Sequence, residues 1–326
     1  MPTYTFDSIN YFAERQHFLQ QDSVVAAIDR YYDEIIPKIA VIIASGATKA
    51  VIDKKVDKLL TEVVRKTVFK IETGMQKSWT IANDRTKDYV EQKYKGVKLP
   101  DNIQKALDDK RTKALNQFTK RRENGLDLSK RIWKTADQYK EIIEKTFDEE
   151  FPKAIQEGRS SRKIAKDLRK ALQDPQIKPG QGVYKSPTKN AMRVARTEIN
   201  MAYRMSDQKA WQANPLVLGY RINLSATGKP KVRCEICRTL AGDYPTDFVW
   251  RGWHPNCLCF KTPILMSEDM LAKYTRLIAQ GKDTPEAIME LQKDVRVTKM
   301  PKQFDQWVEA NAERVAKWKS KPYWMK

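Results

Sequence analysis

The chain is poor in the residues on which most hydrolytic and proton-transfer chemistry depends. It has only two histidines, His17 and His254, among 326 residues. A His-x-Glu step before a Cys pair, as zinc deaminases require, occurs nowhere. The His-Glu-x-x-His of metalloproteases is missing as well. A serine or cysteine nucleophile has no base at hand unless His254 serves, and we expect no enzyme. Long apolar runs are lacking, which excludes a membrane-spanning helix of the usual length. The first residues, Met-Pro-Thr-Tyr-Thr-Phe-Asp, carry neither a basic head nor an apolar stretch, so no signal peptide is read there. Synthesis and retention in a reducing cytoplasm is the matching expectation, and it argues against disulfides.

Cysteine is equally scarce, and its placement is informative. All four cysteines fall between residues 234 and 259, together with His254. They read Cys234-x2-Cys237, a spacer of sixteen residues, then His254-x2-Cys257-x-Cys259. Two close pairs joined by a short loop suit a tetrahedral zinc ion, because thiolate and imidazole are its preferred donors and a two-residue gap aims both ligands of a turn at one point. Five donors compete for four places, so one of His254, Cys257 and Cys259 is left over. The alternatives are one or two disulfides, or reduced thiols packed as small hydrophobes.

Acidic residues are outnumbered. Lys and Arg total 61 against 41 Asp and Glu, a net charge of +20. An excess of this size calls for a polyanionic partner, most often nucleic acid, through counterion release. One segment concentrates it: Arg162, Lys163, Lys166, Arg169 and Lys170 surround Ile164, Ala165, Leu168 and Leu172. One face of that helix packs and the other offers a basic band for sequence-independent contact with double-stranded DNA; a plain solvated face is the bland alternative.

The spacing predicts a predominantly α, α+β chain of five parts. Residues 1–22 show no clear periodicity and read as an N-terminal arm. Residues 23–173 form a helical domain. Its first helix carries Ile28, Tyr31, Tyr32, Ile35, Ile36 and Ile39, with a kink expected at Pro37 and a break at Gly46. Its second holds an apolar seam at Ile52, Val56, Leu59 and Val63. Asp101 is read as the cap of a helix running through Phe118, and Ser160 or Ser161 as the cap of the basic helix. A Pro- and Gly-rich linker spans 174–186. Residues 187–266 form a small module: a helix from Ser186-Pro187 to Gln212 on a mostly antiparallel sheet, with strands at 217–225, 248–250 and 258–265. A helical extension, 267–326, ends in an aromatic tail at Tyr323-Trp324, laid back on the body or on a partner.

Several of these residues together carry a resemblance. Asn190-Ala-x-Arg193-x-Ala-Arg196-Thr197-Glu198-x-Asn200-x-Ala-Tyr203-Arg204 is followed by the Cys-x2-Cys, by Leu240-Ala-Gly242-x-Tyr244-Pro245, and by Gly252-Trp-His-Pro-Asn-Cys-x-Cys259. That order resembles the phage Mu F-like minor head (head morphogenesis) proteins, specifically over about residues 180–265 and more loosely on either side. Leu258 stands where members often show Arg. The resemblance implies a low-copy virion protein at the portal vertex or capsid interior. Its partners would be the portal and other capsid proteins, with self-association and contact with packaged DNA as further expectations. Arg193, Arg196, Thr197 and Glu198 would then be a structural motif, a salt-bridged joint onto the sheet. The rival reading is a nucleic-acid-binding zinc module, or less readily a His/zinc nuclease, outside any particle.

Overall fold

The computed structural model describes residues 6–45, 47–123, 125–157, 160–173, 186–224, 234–254, 257–317 and 324. The chain is mostly α, with a small antiparallel sheet, as the periodicities predict. In order it forms α1 (Phe6–Ala44), α2 (Lys49–Lys93), α3 (Asp101–Asp108), α4 (Thr112–Thr119), α5 (Leu128–Gln156), α6 (Ser161–Gln173), α7 (Pro187–Gln212), β1 (Val217–Asn223), α8 (Glu235–Thr239), β2 (Gly242–Tyr244), β3 (Phe260–Leu265), α9 (Glu268–Ala279), α10 (Pro285–Gln292), α11 (Lys302–Ala310) and α12 (Ala312–Ala316). Two compact units divide it. Unit 1 comprises residues 1–18, 76–115 and 200–326, and unit 2 comprises 19–75 and 116–199. The chain passes from one unit to the other within α1, α2, α4 and α7, so the units interleave in sequence. The linker read at 174–186 lies outside the described residues except for Ser186.

Unit 2 is helical. Ile28, Tyr32, Ile35, Ile36 and Ile39 of α1 are buried, as are Ile52, Val56, Leu60, Val63 and Val64 of α2, so the expected seam is consumed within the chain. Leu59 sits only at its edge. Helices α1, α2 and α7 come close enough that a Cβ on Gly74 would lie 2.8 Å from Ile199 Cδ1 and 2.9 Å from Val24 Cγ2. A glycine inside a 45-residue helix costs propensity, and here it permits the approach. Ser186 Oγ accepts from the backbone N–H of Lys189 and starts α7 at Pro187, where the cap was read.

Unit 1 holds the sheet, in the order β2-β1-β3, with both pairings antiparallel. The register of β1 shifts between Val217 and Gly219. Leu216 and Leu218 consequently join an apolar cluster with Tyr94, Leu107, Leu271 and Tyr274, while Tyr220 and Ile222 face a second one with Trp211, Leu240, Tyr244 and Trp253. Arg221 bonds Asp243 across β1 and β2 through both carboxylate oxygens, at 2.6 and 2.8 Å.

Several local expectations are corrected. Residues 6–22 are not an aperiodic arm but the start of α1. Their inward residues, Asn10, Ala13, His17 and Gln21, keep helical spacing but are mostly polar, which hides the pattern. The same helix runs through Pro37; Gly46 is outside the described residues. The helix read from Asp101 to Phe118 is two, α3 and α4, with Pro100 rather than Asp101 at its cap position. Arg111 separates them in a left-handed conformation, φ 50°, held by its own side chain on the carbonyls of Ala106 and Asp109. Residues 248–250 are not a strand; the third strand is β2, which is too short to show an alternation. The last helix breaks at Asn311 into α11 and α12. Trp324 lies back on the body: its indole N–H donates to the Trp253 carbonyl at 3.2 Å.

Candidate metal centre

The five donors converge in unit 1. Cys234 caps α8, its sulfur accepting from the Cys237 N–H at 3.3 Å, so the Cys-x2-Cys forms one tight turn. His254 Nε2 lies 3.2 Å from Cys234 Sγ and 3.2 Å from Cys237 Sγ. Cys237 Sγ lies 3.9 Å from Cys257 Sγ. Two sets of three donors result, Cys234–Cys237–His254 and Cys237–Cys257–Cys259, each with its donor atoms within 4.8 Å of one another, and either could hold a metal ion. Cys237 belongs to both. Around a tetrahedral zinc, sulfurs stand ~3.8 Å apart and sulfur and imidazole nitrogen ~3.5 Å apart, from ion–ligand lengths of ~2.3 and ~2.05 Å. The observed separations lie close to those edges. All four cysteines are free thiols, so the disulfide alternative does not hold in this structure.

The second Cys turn is held from α7. Arg204 is buried and donates to the carbonyls of Arg251 at 3.0 Å, Cys257 at 2.5 Å and Cys259 at 2.8 Å. Asn200, one turn earlier, donates to the Cys257 carbonyl at 3.3 Å. The Arg204 guanidinium also lies over the Trp250 ring, 4.7 Å from its centre. Gly252 has φ 114°, and a Cβ there would fall 2.4 Å from Arg204 Nη1, so the loop requires glycine. Neither Asn200 nor Arg204 was singled out in the sequence as part of the centre. The signal was there, since both stand in the motif that precedes the cysteines, but only the fold shows which carbonyls they reach.

The thiols share charge unequally. Hydrogen bonds from Cys237 and Cys259 hold the Cys257 thiol well below its ordinary range, with Arg204 and His254 helping. The bonds with Cys257 and Cys259, then burial, push the Cys237 thiol far up. Cys259 rises to about 12: its bond with Cys237 works downward but is outweighed by the bond with Cys257 and by burial. Three close sulfurs without a cation support about one negative charge; a bound cation would deprotonate the rest.

No family model, curated protein or solved structure matches this chain.

The remaining sequence-read residues fall in unit 2. Glu198 is buried between Arg121 and Arg131, each at 2.7 Å. The joint expected onto the sheet is thus made to the segment after α4 and to α5. Thr197 Oγ1 donates to the Arg193 carbonyl, Arg193 to Asn190 Oδ1, and the Arg196 carbonyl accepts from Gln21. Arg162, Lys163, Lys166, Arg169 and Lys170 lie on α6, which buries Ile164, Leu168 and Leu172. Ser160, not Ser161, caps this helix, accepting from the Lys163 N–H.

A buried polar network in unit 1 had no signal in the sequence. Arg85 bonds Asp207 at 2.5 Å, Glu14 at 3.0 Å and Asn10 at 2.8 Å. Burial pushes the Glu14 carboxyl up to about 7 and the Lys261 ammonium down to about 7, Lys261 donating to Gln208 and to the Arg204 carbonyl. His17 is a core residue, 3.1 Å from Ser78 Oγ and 2.7 Å from Asn200 Oδ1, stacked on Tyr203 and pushed by burial down to about 3. The imidazole is held neutral and away from solvent.

Proposed function

We propose that the Cys/His cluster is a structural zinc site held by Cys234, Cys237, His254 and Cys257, and that it fixes the sheet module of a minor head protein of a tailed phage. The observation that carries the zinc reading is the set of three donor separations, 3.2, 3.2 and 3.9 Å, linking those four residues. In this assignment Cys259 is the fifth donor, beside Cys237 and Cys257, and its carbonyl serves Arg204. Zinc here would contribute folding free energy: α8 is five residues long and β2 three, elements too short to persist alone. The ion supplies a cross-link between the two Cys turns, and the protein supplies the fixed backbone.

The head-protein reading is supported by the ordered motif from Asn190 to Cys259, in which Asn200 and Arg204 donate to the backbone carbonyls of Cys257 and, for Arg204, also of Cys259. Within unit 1 the later part of the motif, Asn200 and Arg204, is thus bonded directly to the cysteine backbone. The proposed partners are the portal and capsid proteins, and the proposed location is the virion head, at the portal vertex or inside.

Two experiments test these separately. Elemental analysis of purified protein should give about one zinc per chain. Cys234→Ser, Cys237→Ser and Cys257→Ser should abolish it, and Cys259→Ser should retain it. Absence of metal from the wild type refutes the zinc site; loss from Cys259→Ser alone refutes the ligand set. Coexpression with the cognate portal and capsid proteins should carry the chain into heads, and full exclusion from particles defeats the head-protein reading.

A further inference from the structure

Five donors serve a four-ligand ion, and the one left over is a further buried thiol. Cys237, Cys257 and Cys259 form a set of their own, all buried, with their sulfurs within 4.8 Å of one another. Cys237 Sγ and Cys257 Sγ stand 3.9 Å apart. Three sulfurs around a trigonal ion, at about 2.3 Å each, stand about 4.0 Å from one another. This set holds no imidazole, because His254 belongs with Cys234 and Cys237. Arg204 takes the carbonyls of both Cys257 and Cys259, which fixes the turn that carries the two sulfurs. Leu258 between them is exposed, so the turn reaches the surface and an ion has a way in.

We infer that Cys237, Cys257 and Cys259 are a second metal site overlapping the first, a three-thiolate site that takes Cu(I). Copper(I) is a soft, singly charged ion that thiolates select and that is satisfied by three sulfur ligands. Zinc keeps four ligands and accepts imidazole readily, so the set with His254 suits zinc better. Copper(I) displaces thiol protons when it binds and does not change its oxidation state. Both sites need Cys237 and Cys257, so one ion excludes the other. Copper(I) therefore releases zinc, with Cys259 taken up and Cys234 and His254 given up. That exchange rests on the zinc reading; the three-thiolate site does not.

The test uses full-length, reduced protein under nitrogen, first stripped of metal. Cu(I) is added as its acetonitrile salt against a chromogenic Cu(I) chelator, and the copper K-edge X-ray absorption of the complex is recorded. About one Cu(I) per chain is expected, with three sulfur neighbours and no nitrogen. Cys259→Ser should weaken Cu(I) binding by more than the about tenfold that losing an outer partner of a metal site costs. Cys234→Ser and His254→Gln should each stay inside that margin, although both remove proposed zinc ligands. Added to zinc-loaded protein, Cu(I) should release about one zinc per copper bound, read with a zinc indicator dye. The absorption spectrum needs no variant, so it decides the ligand set even where a substitution unfolds the module by circular dichroism. Nitrogen in the copper shell, a Cys234→Ser effect as large as that of Cys259→Ser, or surrender of all copper to the chelator overturns the inference. Zinc kept alongside bound copper overturns the sharing of ligands, and the inference with it. Copper held by three sulfurs in a chain that never takes zinc refutes the zinc site and leaves this one standing.

Discussion

Arg204 shows how one side chain can organise a centre it does not ligate. Three backbone carbonyls, two of them on Cys257 and Cys259, converge on a single buried guanidinium. Lysine cannot reproduce that fork. Arg204→Lys should cost about 3 kcal/mol in denaturant unfolding, since buried acceptors are left unpaired. It should also weaken metal binding by about tenfold or more in a chelator competition, as residues that orient ligands do. His17 makes the second residue-scale prediction. Its folded pKa, about 3, lies below its ordinary 6.5. A group depressed in this way contributes stability that is complete above 6.5 and is lost as pH falls from 6.5 through 3. His17→Gln keeps a neutral polar side chain and removes the titration. Wild type should lose stability relative to this variant by up to about 1.4 kcal/mol per pH unit across that window. Parallel pH profiles for the two proteins would contradict the buried, neutral imidazole.

Among the elements, α7 carries the most. Glu198 on it takes two arginines of unit 2, and five residues later the same helix supplies Tyr203, Arg204, Asp207 and Gln208 to the polar core of unit 1. Within unit 1, Tyr203 and Asp207 stand four apart, as do Arg204 and Gln208, and positions four apart share a face. Its fit against α1 and α2 depends on Gly74. An alanine there gains about 1 kcal/mol of helix propensity. The added methyl would meet Ile199, Val24 and Gln20 at 2.8, 2.9 and 3.1 Å. The contacts should outweigh the propensity, and Gly74→Ala should lower the melting temperature by several degrees. A raised melting temperature would show that the three helices have room to spread.

For the whole molecule, loss of the proposed zinc is expected to be a regional event, because the units interleave. Chelation should release amide protons in β1, β3, α8 and α11 to exchange, while the cores of α2 up to Ile71 and of α5 up to Ile143 stay protected; uniform loss would mean a single cooperative fold. The apolar seam of α2 and the aromatic tail at Trp324, both read in the sequence, are packed within the chain. Ile52, Val56 and Val63 are spent inside unit 2, and Trp324 is spent on Trp253, Phe304 and Trp307. Tyr11, Phe12 and Leu19 of α1 remain exposed, at 58%, 45% and 61%. The adjacent rings of Tyr11 and Phe12, in edge contact, and the Leu19 side chain are exposed positions where a neighbour is expected. Tyr11→Ser with Leu19→Ser should reduce incorporation into heads without changing zinc content.

Local spacing by itself determined the helical character, the start and end of α7, the cap at Ser186 and the five candidate donors, and it narrowed the α6 cap to Ser160 or Ser161. Those features follow from local spacing, and local spacing is what a sequence displays. Tertiary structure alone decided the rest. It turned a polar, unpatterned N-terminus into a buried helix by giving Asn10, Glu14 and His17 partners more than sixty residues away. It drew Cys257 toward Cys237 and set Arg204 behind both Cys257 and Cys259. It assembled Arg85, Asp207 and Lys261 into a buried network that no motif announces. Hydrogen bonds between distant side chains have no period, so only the folded chain reveals which polar residues it has chosen to bury.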